Sequence, residues 1–309
     1  LKDASEEIRE KILQPIMVRR TRRDILDNYH EDVIKQGLKF PELKDPKKLI
    51  YQFDSNMDKL FNETLAGIKD MKYARYMPLT YLKAPTKAQK SLMVGQLNME
   101  GFVRSMLGKR LESSFYAFKK TLERLIQSYS RFIRMYEDGV IWISKKNIND
   151  YIDADDQEAL LDLYEEDKVQ KFNADDLKKD LFIDLCGDLA ILETLSRKWQ
   201  KINSDPKLEK FLTELLIDKN LKENKLIIFT EAGETAEYLK DNLTKVYGKS
   251  VIQYSSKSSE AVRRIIEHNF NPKDKHPSDD VRILITTDVL AEGVNLHRAN
   301  VVVNYDLPW

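Results

Sequence analysis

Three runs of almost continuous apolar residues constrain this chain most: KLIIFT at 225–230, VRILITT at 281–287 and NVVVNY at 300–305. They are short and rich in Val and Ile, the pattern of strands buried on both faces. A weaker run, SVIQYS, lies at 250–255, and helical patterns at 206–219, 233–246 and 258–269 alternate with the strands. Neighbouring parallel strands need a crossover of about a dozen residues, usually a helix. The alternation therefore predicts an α/β fold with a parallel sheet over 205–309.

Upstream, the pattern turns helical. An amphipathic segment over 5–26 carries the basic cluster Arg19, Arg20, Arg22 and Arg23. KLIYQFD at 48–54 alternates apolar and polar residues and predicts a strand. A helix is expected over about 55–75, followed by a loop marked by Pro78 and Pro85. The strongest helical pattern covers 100–137, with Leu111, Phe115, Phe118, Leu122, Leu125, Tyr129, Phe132 and Ile133 on one face. Lys109, Arg110, Lys119, Lys120, Arg124, Arg131 and Arg134 occupy the other, and Gly139 lies just past the end. Residues 149–180 are strongly acidic and predict a mobile insertion with one or two short helices. A helix over 182–202 leads to Asn203-Ser204-Asp205-Pro206, where Ser204 or Asp205 can cap the next helix and Pro206 can open it. The expected division is thus a mainly helical region, 1–204, and an α/β domain, 205–309.

Composition narrows the classes. Charged residues are 33% and only 10 of 309 residues are Gly, which favours solvated helices over a turn-rich β fold. The net charge of +0 excludes a globally basic nucleic-acid binder but not a local basic patch. The single cysteine, Cys186, excludes a disulfide framework and a Cys-based zinc site, and four scattered His make an all-His metal site unexpected. No window approaches the ~18 apolar residues of a membrane span, and LKDASEEIREKILQ is unlike a signal peptide. The expectation is a monomeric cytoplasmic protein without membrane or metal. The chain lacks an initial Met and stops at Asp306-Leu307-Pro308-Trp309, so a piece of a longer protein is expected.

In open α/β sheets, ligands bind outside the carboxyl ends of the strands. Two such ends are polar here. In Phe229-Thr230-Glu231-Ala232-Gly233 the exposed N–H groups of a helix start could hold a phosphate, or merely be capped. The stretch Thr286-Thr287-Asp288-Val289-Leu290-Ala291-Glu292-Gly293-Val294-Asn295 packs hydroxyls, carboxylates, a Gly and an amide directly after a strand. Thr286 and Thr287 suit phosphate oxygens, Asp288 and Glu292 suit arginines or a ribose, and Gly293 permits close backbone approach. The basic face within 109–134 is either a phosphate-binding surface or a solvated helix face. The acidic 149–180 stretch is either solvated or a DNA mimic covering that face.

ILITTDVLAEGVNLHRANVVVNYDLPW (283–309) resembles motif V and the next strand of superfamily-two helicases, nearest the bacterial RapA-like branch of the Swi/Snf type. KLIIFTEAGETAEYL (225–239) is similar to motif IV, at the start of the second RecA-like lobe. The segment Met17-Val18-Arg19-Arg20-Thr21-Arg22-Arg23-Asp24-Ile25 resembles the arginine-rich stretch leaving the first lobe. Lys109-Arg110-Leu111-Glu112-Ser113-Ser114 resembles the helical element between lobes. The resemblance implies a P-loop NTPase fold for 205–309 and an ATP-dependent DNA translocase as parent. It implies that Thr286, Thr287 and Thr230 meet the nucleic-acid backbone. Gly293 and Asn295 would face the nucleotide, with Asp288 orienting arginines and Glu292 beside them. Arg19 and Arg20 would lie near the interlobe hinge. Lys109, Arg110, Lys119 and Lys120 are the candidate nucleic-acid contacts of the helical region. Many helicases carry Asp at the place of Asn295; Asn favours the Swi/Snf branch. Implied partners are DNA, duplex before single-stranded, and a first RecA-like lobe; implied cofactors are ATP and Mg²⁺.

The chain itself lacks the ATP machinery. A P-loop needs Gly-x4-Gly-Lys-Ser/Thr between strand and helix. Gly248-Lys249-Ser250 matches only in part, with Leu243 at the first Gly position and helix before strand. No Asp-Glu dipeptide occurs, and the arginine finger of motif VI would by the resemblance lie past Trp309. No catalytic residue, tight ATP binding or hydrolysis is expected of this chain alone. The competing expectation is a non-enzymatic protein- or DNA-binding module with a helicase-like fold. A Rossmann-like methyltransferase would require more glycine than Gly233 supplies after the first strand.

Overall fold

The apolar period read through 115–133 builds the longest helix among the described residues. The computed structural model describes residues 22–35, 42, 44–143, 170–255, 258–287 and 295–307. The chain falls into two units, Leu1–Lys48 and Leu49–Trp309. In the first, α1 (Arg22–Asn28) and α2 (His30–Lys35) follow one another, and Val33 is buried. Most of the helix expected over 5–26, with Arg19 and Arg20, lies outside the described residues.

The second unit begins with an extended segment. No strand forms at 48–54. The alternation there reports side-chain direction without a ladder partner: Leu49 packs on the sheet core, whereas Phe53 packs against Phe61 and Phe115. Then come α3 (Ser55–Asp70), α4 (Lys87–Leu97), α5 (Met99–Ser113) and α6 (Phe115–Glu137). The single helix expected over 100–137 is therefore two. Ser114 adopts an extended backbone (φ −159°, ψ 151°), and its hydroxyl accepts from Ala117 N at 3.0 Å, an N-cap inside an unbroken apolar period. Past Gly139, whose φ of +81° suits a residue without Cβ, β1 (Val140–Ile143) pairs antiparallel with β2 (Gln170–Asn173).

The acidic insertion expected over 149–180 is shorter at its far end. Phe172, Leu177 and Leu181 are buried, and Lys178 N donates to Tyr81 O at 2.8 Å. The intervening residues 144–169 lie outside the described ones. Helix α7 (Asp180–Trp199) packs along α6, completing a core in which Trp199, Tyr73, Tyr129, Phe118 and Phe132 are almost wholly buried. Within it, the Asp188 carboxylate accepts from Lys72 N, Ala74 N and Tyr129 Oη at 2.6, 2.9 and 3.0 Å, holding the left-handed turn at Tyr73 (φ 53°).

Of the two expected caps, Ser204 and Asp205, it is Asp205 that caps the next helix. Its carboxylate accepts from Leu208 N at 3.1 Å, with Pro206 in the first turn of α8 (Pro206–Ile217). There follow α9 (Lys219–Glu223), β3 (Leu226–Phe229), α10 (Gly233–Tyr247), β4 (Val251–Tyr254), α11 (Glu260–Phe270), β5 (Ile283–Thr286) and β6 (Val301–Asn304). The sheet is parallel throughout, in the order β4-β5-β3-β6. Leu226, Ile228, Ile283 and Ile285 face α8 and α10, whereas Ile227 and Leu284 face Ile266 and Phe270 of α11. Both faces are covered, which is why the strands are apolar without alternation. This is the RecA-like α/β fold. Gly248 (φ +60°) ends α10 ahead of β4, so Gly248-Lys249-Ser250 is a helix terminus rather than a phosphate loop. Among the described residues, no helix is long and apolar enough to cross a membrane.

Candidate nucleic-acid interface

The register levels the strands so that Phe229 lies opposite Thr286 and Asn304. Pairing continues one residue further: Thr230 N donates to Thr286 O at 3.1 Å and Tyr305 N to Phe229 O at 2.8 Å. Thr230, Thr286, Thr287 and Asp306 therefore gather at the carboxyl edge of the sheet, where α/β folds bind ligands. Thr286 is buried, and its hydroxyl donates to Thr287 O at 2.8 Å; Thr287 is half-buried.

Asp306 organises this edge. Its Oδ2 accepts from Thr230 Oγ1 at 2.6 Å, Glu231 N at 2.9 Å and Ser113 Oγ at 2.9 Å. Its Oδ1 meets Lys207 Nζ at 3.1 Å. Lys207 Nζ also donates to Glu112 O and Ser113 O at 2.8 and 2.9 Å, satisfying carbonyls left open at the C-terminus of α5. Burial pulls the Lys207 ammonium below its ordinary pKa, and the Asp306 charge opposes that pull.

The corner between α5 and α6 docks onto the same turn. Arg110 and Arg124 both donate to the Glu234 carboxylate, and Lys109 Nζ lies 3.8 Å from Glu231. The Thr235 hydroxyl bonds Ser113 Oγ at 2.6 Å and Ser114 Oγ at 2.8 Å, and Tyr116 stacks on Tyr238 at 5.1 Å. The Arg110 and Glu234 side chains are only 5% and 9% exposed, while Arg124 keeps 34%. Burial pushes the Glu234 carboxyl up, but the two guanidiniums outweigh it and hold the group below its ordinary value.

Of the sequence-derived candidates, Thr230, Thr286, Thr287, Lys109 and Arg110 come together at this edge. Arg110 and the Thr230 hydroxyl are spent on partners inside the chain. Lys119 stands apart, donating to Ile202 O at 2.6 Å, and the exposed Lys120 lies 3.4 Å from Glu123. Asn295 is half-buried, and its Oδ1 accepts from His297 N at 3.2 Å. Asp288, Glu292 and Gly293 lie outside the described residues. Sequence reading missed Glu234, Thr235, Ser113, Lys207 and Asp306. The available signal was sign: a turn carrying Glu231 and Glu234 complements the Lys109-Arg110 pair. Among the described residues, no group of three or more His, Cys, Asp or Glu could hold a metal ion.

Residues 207–309, a third of the chain, match the helicase conserved C-terminal domain. The chain is 33% identical over 103 residues to the "ATP-dependent RNA helicase DBP6" of Candida albicans, covering 31% of this chain and 16% of the relative. It is 27% identical over 143 residues to the "ATP-dependent RNA helicase DBP8" of Vanderwaltozyma polyspora, covering 45% and 31%. It is 29% identical over 104 residues to the human "Probable ATP-dependent RNA helicase DDX59", covering 34% and 16%. The matched region thus spans between about a sixth and a third of these relatives' length. Among solved structures, the Pyrococcus furiosus Hef helicase domain aligns at TM-score 0.39 and 16% identity, covering 94% of this chain and 57% of that one. The C-terminal part of the Fun30 ATPase domain aligns at TM-score 0.34 and 17% identity, covering 84% and 73%.

Proposed function

We propose that this chain supplies the second lobe, with its interlobe helical region, of an ATP-dependent nucleic-acid translocase of the Swi/Snf type. The observation that carries the reading is the helicase C-terminal domain at 207–309, whose strand ends gather Thr230, Thr286 and Thr287 at one edge. Thr287 and the backbone amides beside it contact backbone phosphates. Thr230, with its hydroxyl committed to Asp306, contributes through its main chain. Asn295, with Gly293, Asp288 and Glu292, faces a nucleotide in a cleft completed by another lobe. An amide and hydroxyls fit one flank of a triphosphate. A chain with neither P-loop nor Asp-Glu pair leaves Mg²⁺ and most phosphate contacts to that other lobe. ATP with Mg²⁺ supplies the hydrolysis energy when bound. The residues here sense the nucleotide and grip the strand.

The dock gives the lobe its lever. Because Asp306 and Glu234 tie the α5–α6 corner to the turn after β3, the helical region moves with the lobe when the cleft closes. The likeness to the Swi/Snf type, whose members mostly translocate without full unwinding, favours duplex DNA as track. The three relatives named as RNA helicases favour the second reading, an RNA motor.

The test is ATP hydrolysis by the natural protein with its upstream lobe, measured with and without duplex DNA or duplex RNA. Stimulation by one of them, lost in Gly293→Asp, is the expected result. No hydrolysis under any condition would leave the non-enzymatic binding module as the better account.

A further inference from the structure

We infer that the outer face of α6 beyond the dock grips a phosphodiester backbone, with Gln127, Ser130, Arg131 and Arg134 as the contacts. This deepens the nucleic-acid reading and rests on it. The basic face of this region carries seven cations, Lys109, Arg110, Lys119, Lys120, Arg124, Arg131 and Arg134. Five have partners within the chain: Lys109 near Glu231, Arg110 and Arg124 on Glu234, Lys119 on the Ile202 carbonyl, and Lys120 near Glu123. Arg131 and Arg134 are exposed, and among the described residues neither pairs with a carboxylate.

These two arginines border a groove of about 350 Å³, lined among the described residues by Ile126, Gln127, Ser130, Arg131 and Arg134. That lining holds two positive charges, an amide, a hydroxyl and no acid, which is complementary to an anion. Guanidinium forks match phosphate oxygens in pairs, and Gln and Ser add neutral donors. Gln127 to Arg134 spans two helical turns, about 10 Å along the axis. Successive phosphates of one strand rise about 3.4 Å along the duplex axis and lie further apart along the winding backbone, so the groove length suits about two. The opposite face of α6 is pinned by the buried Tyr129, Phe132 and Ile133, so the donors sit on a rigid rod. Arg124, on the same stripe, anchors that rod to the lobe through Glu234. The grip and the strand-end residues therefore belong to one body.

The test is fluorescence anisotropy of labelled 20-base-pair DNA and RNA duplexes against salt, using the full chain and Arg131→Gln/Arg134→Gln. Each phosphate contact contributes about 0.9 to the slope of log K on log salt for B-DNA. Losing two should lower the slope by about 1.8 and weaken binding roughly 30-fold at 0.15 M salt. Lys219→Gln/Lys222→Gln removes equal charge from exposed positions on α9 and should bind DNA like the wild type. Circular dichroism should show both variants folded. Tight wild-type binding that the double arginine variant retains would overturn the groove and leave the motor reading standing; absence of wild-type binding to either duplex would overturn both. Equal losses in the two variants would reduce the effect to net charge and overturn the groove. A rise in affinity on removing the arginines would mark the groove as a seat for an acidic protein segment, and would also overturn it.

Discussion

Replacing Glu234 by Ala should destabilise the protein more than any single change on the exposed face of α6. The substitution strands Arg110, a guanidinium with 5% exposure, without its carboxylate. Removing one partner of a buried pair costs about 3–5 kcal/mol, because the other charge stays desolvated. Arg124 is a third exposed and regains water, so its share is about 0–1 kcal/mol. The expected order of cost is Glu234→Ala, then Arg110→Met, then Arg124→Met. Replacing both buried partners by apolar residues of similar size is often close to neutral. The double variant Glu234→Met/Arg110→Met should therefore recover about 2 kcal/mol or more relative to the sum of the singles. Urea unfolding at pH 7, followed by circular dichroism and tryptophan fluorescence, gives the free energies. In a domain of this size the single Ala change should lower Tm by about 6–20 °C. A cost below about 0.5 kcal/mol for Glu234→Ala, or coupling that small in the cycle, would refute a buried clamp.

The same carboxylate sets an acid dependence. Its folded pKa lies below the ordinary 4.5, so its stabilisation is complete above that value and is lost as pH falls through the folded one. Wild type should lose stability faster than Glu234→Gln between about pH 5 and 3, and parallel curves would contradict the pairing. Ser114→Ala removes the N-cap of α6 and should cost about 1–2 kcal/mol in urea unfolding; no change would mean that the cap is dispensable. Ile285→Ala, at a wholly buried position of the central strand β5, should cost about 2–5 kcal/mol by the same assay; a cost under 1 kcal/mol would contradict the packing of that face.

The sheet was legible because a strand covered on both faces has no choice but to be apolar along its length, as ILIT at 283–286 shows. The Asp205-Pro206 start was legible because capping chemistry is local. Ser114 was not: Leu111, Phe115 and Phe118 keep helical phase across it, so burial pattern alone hides the break. The hairpin of β1 and β2 was lost in an acidic stretch whose far end carries the buried Phe172. At 48–54, alternation gave the direction of the side chains correctly but could not report that no neighbouring strand was present. That Thr230, Thr286 and Thr287 share one edge was legible because each lies at the end of a strand. The role of Arg110 was not, since its partner Glu234 lies 124 residues away and no periodicity links them.

Whether the residues after β5 belong to a nucleotide cleft shared with a first lobe is best decided by one comparison. Nucleic-acid-stimulated ATP turnover of the natural protein, lobe included, should fall to its unstimulated level in Gly293→Asp while folding is unchanged. A folded Gly293→Asp protein that hydrolyses ATP with undiminished stimulation would remove this lobe from the motor.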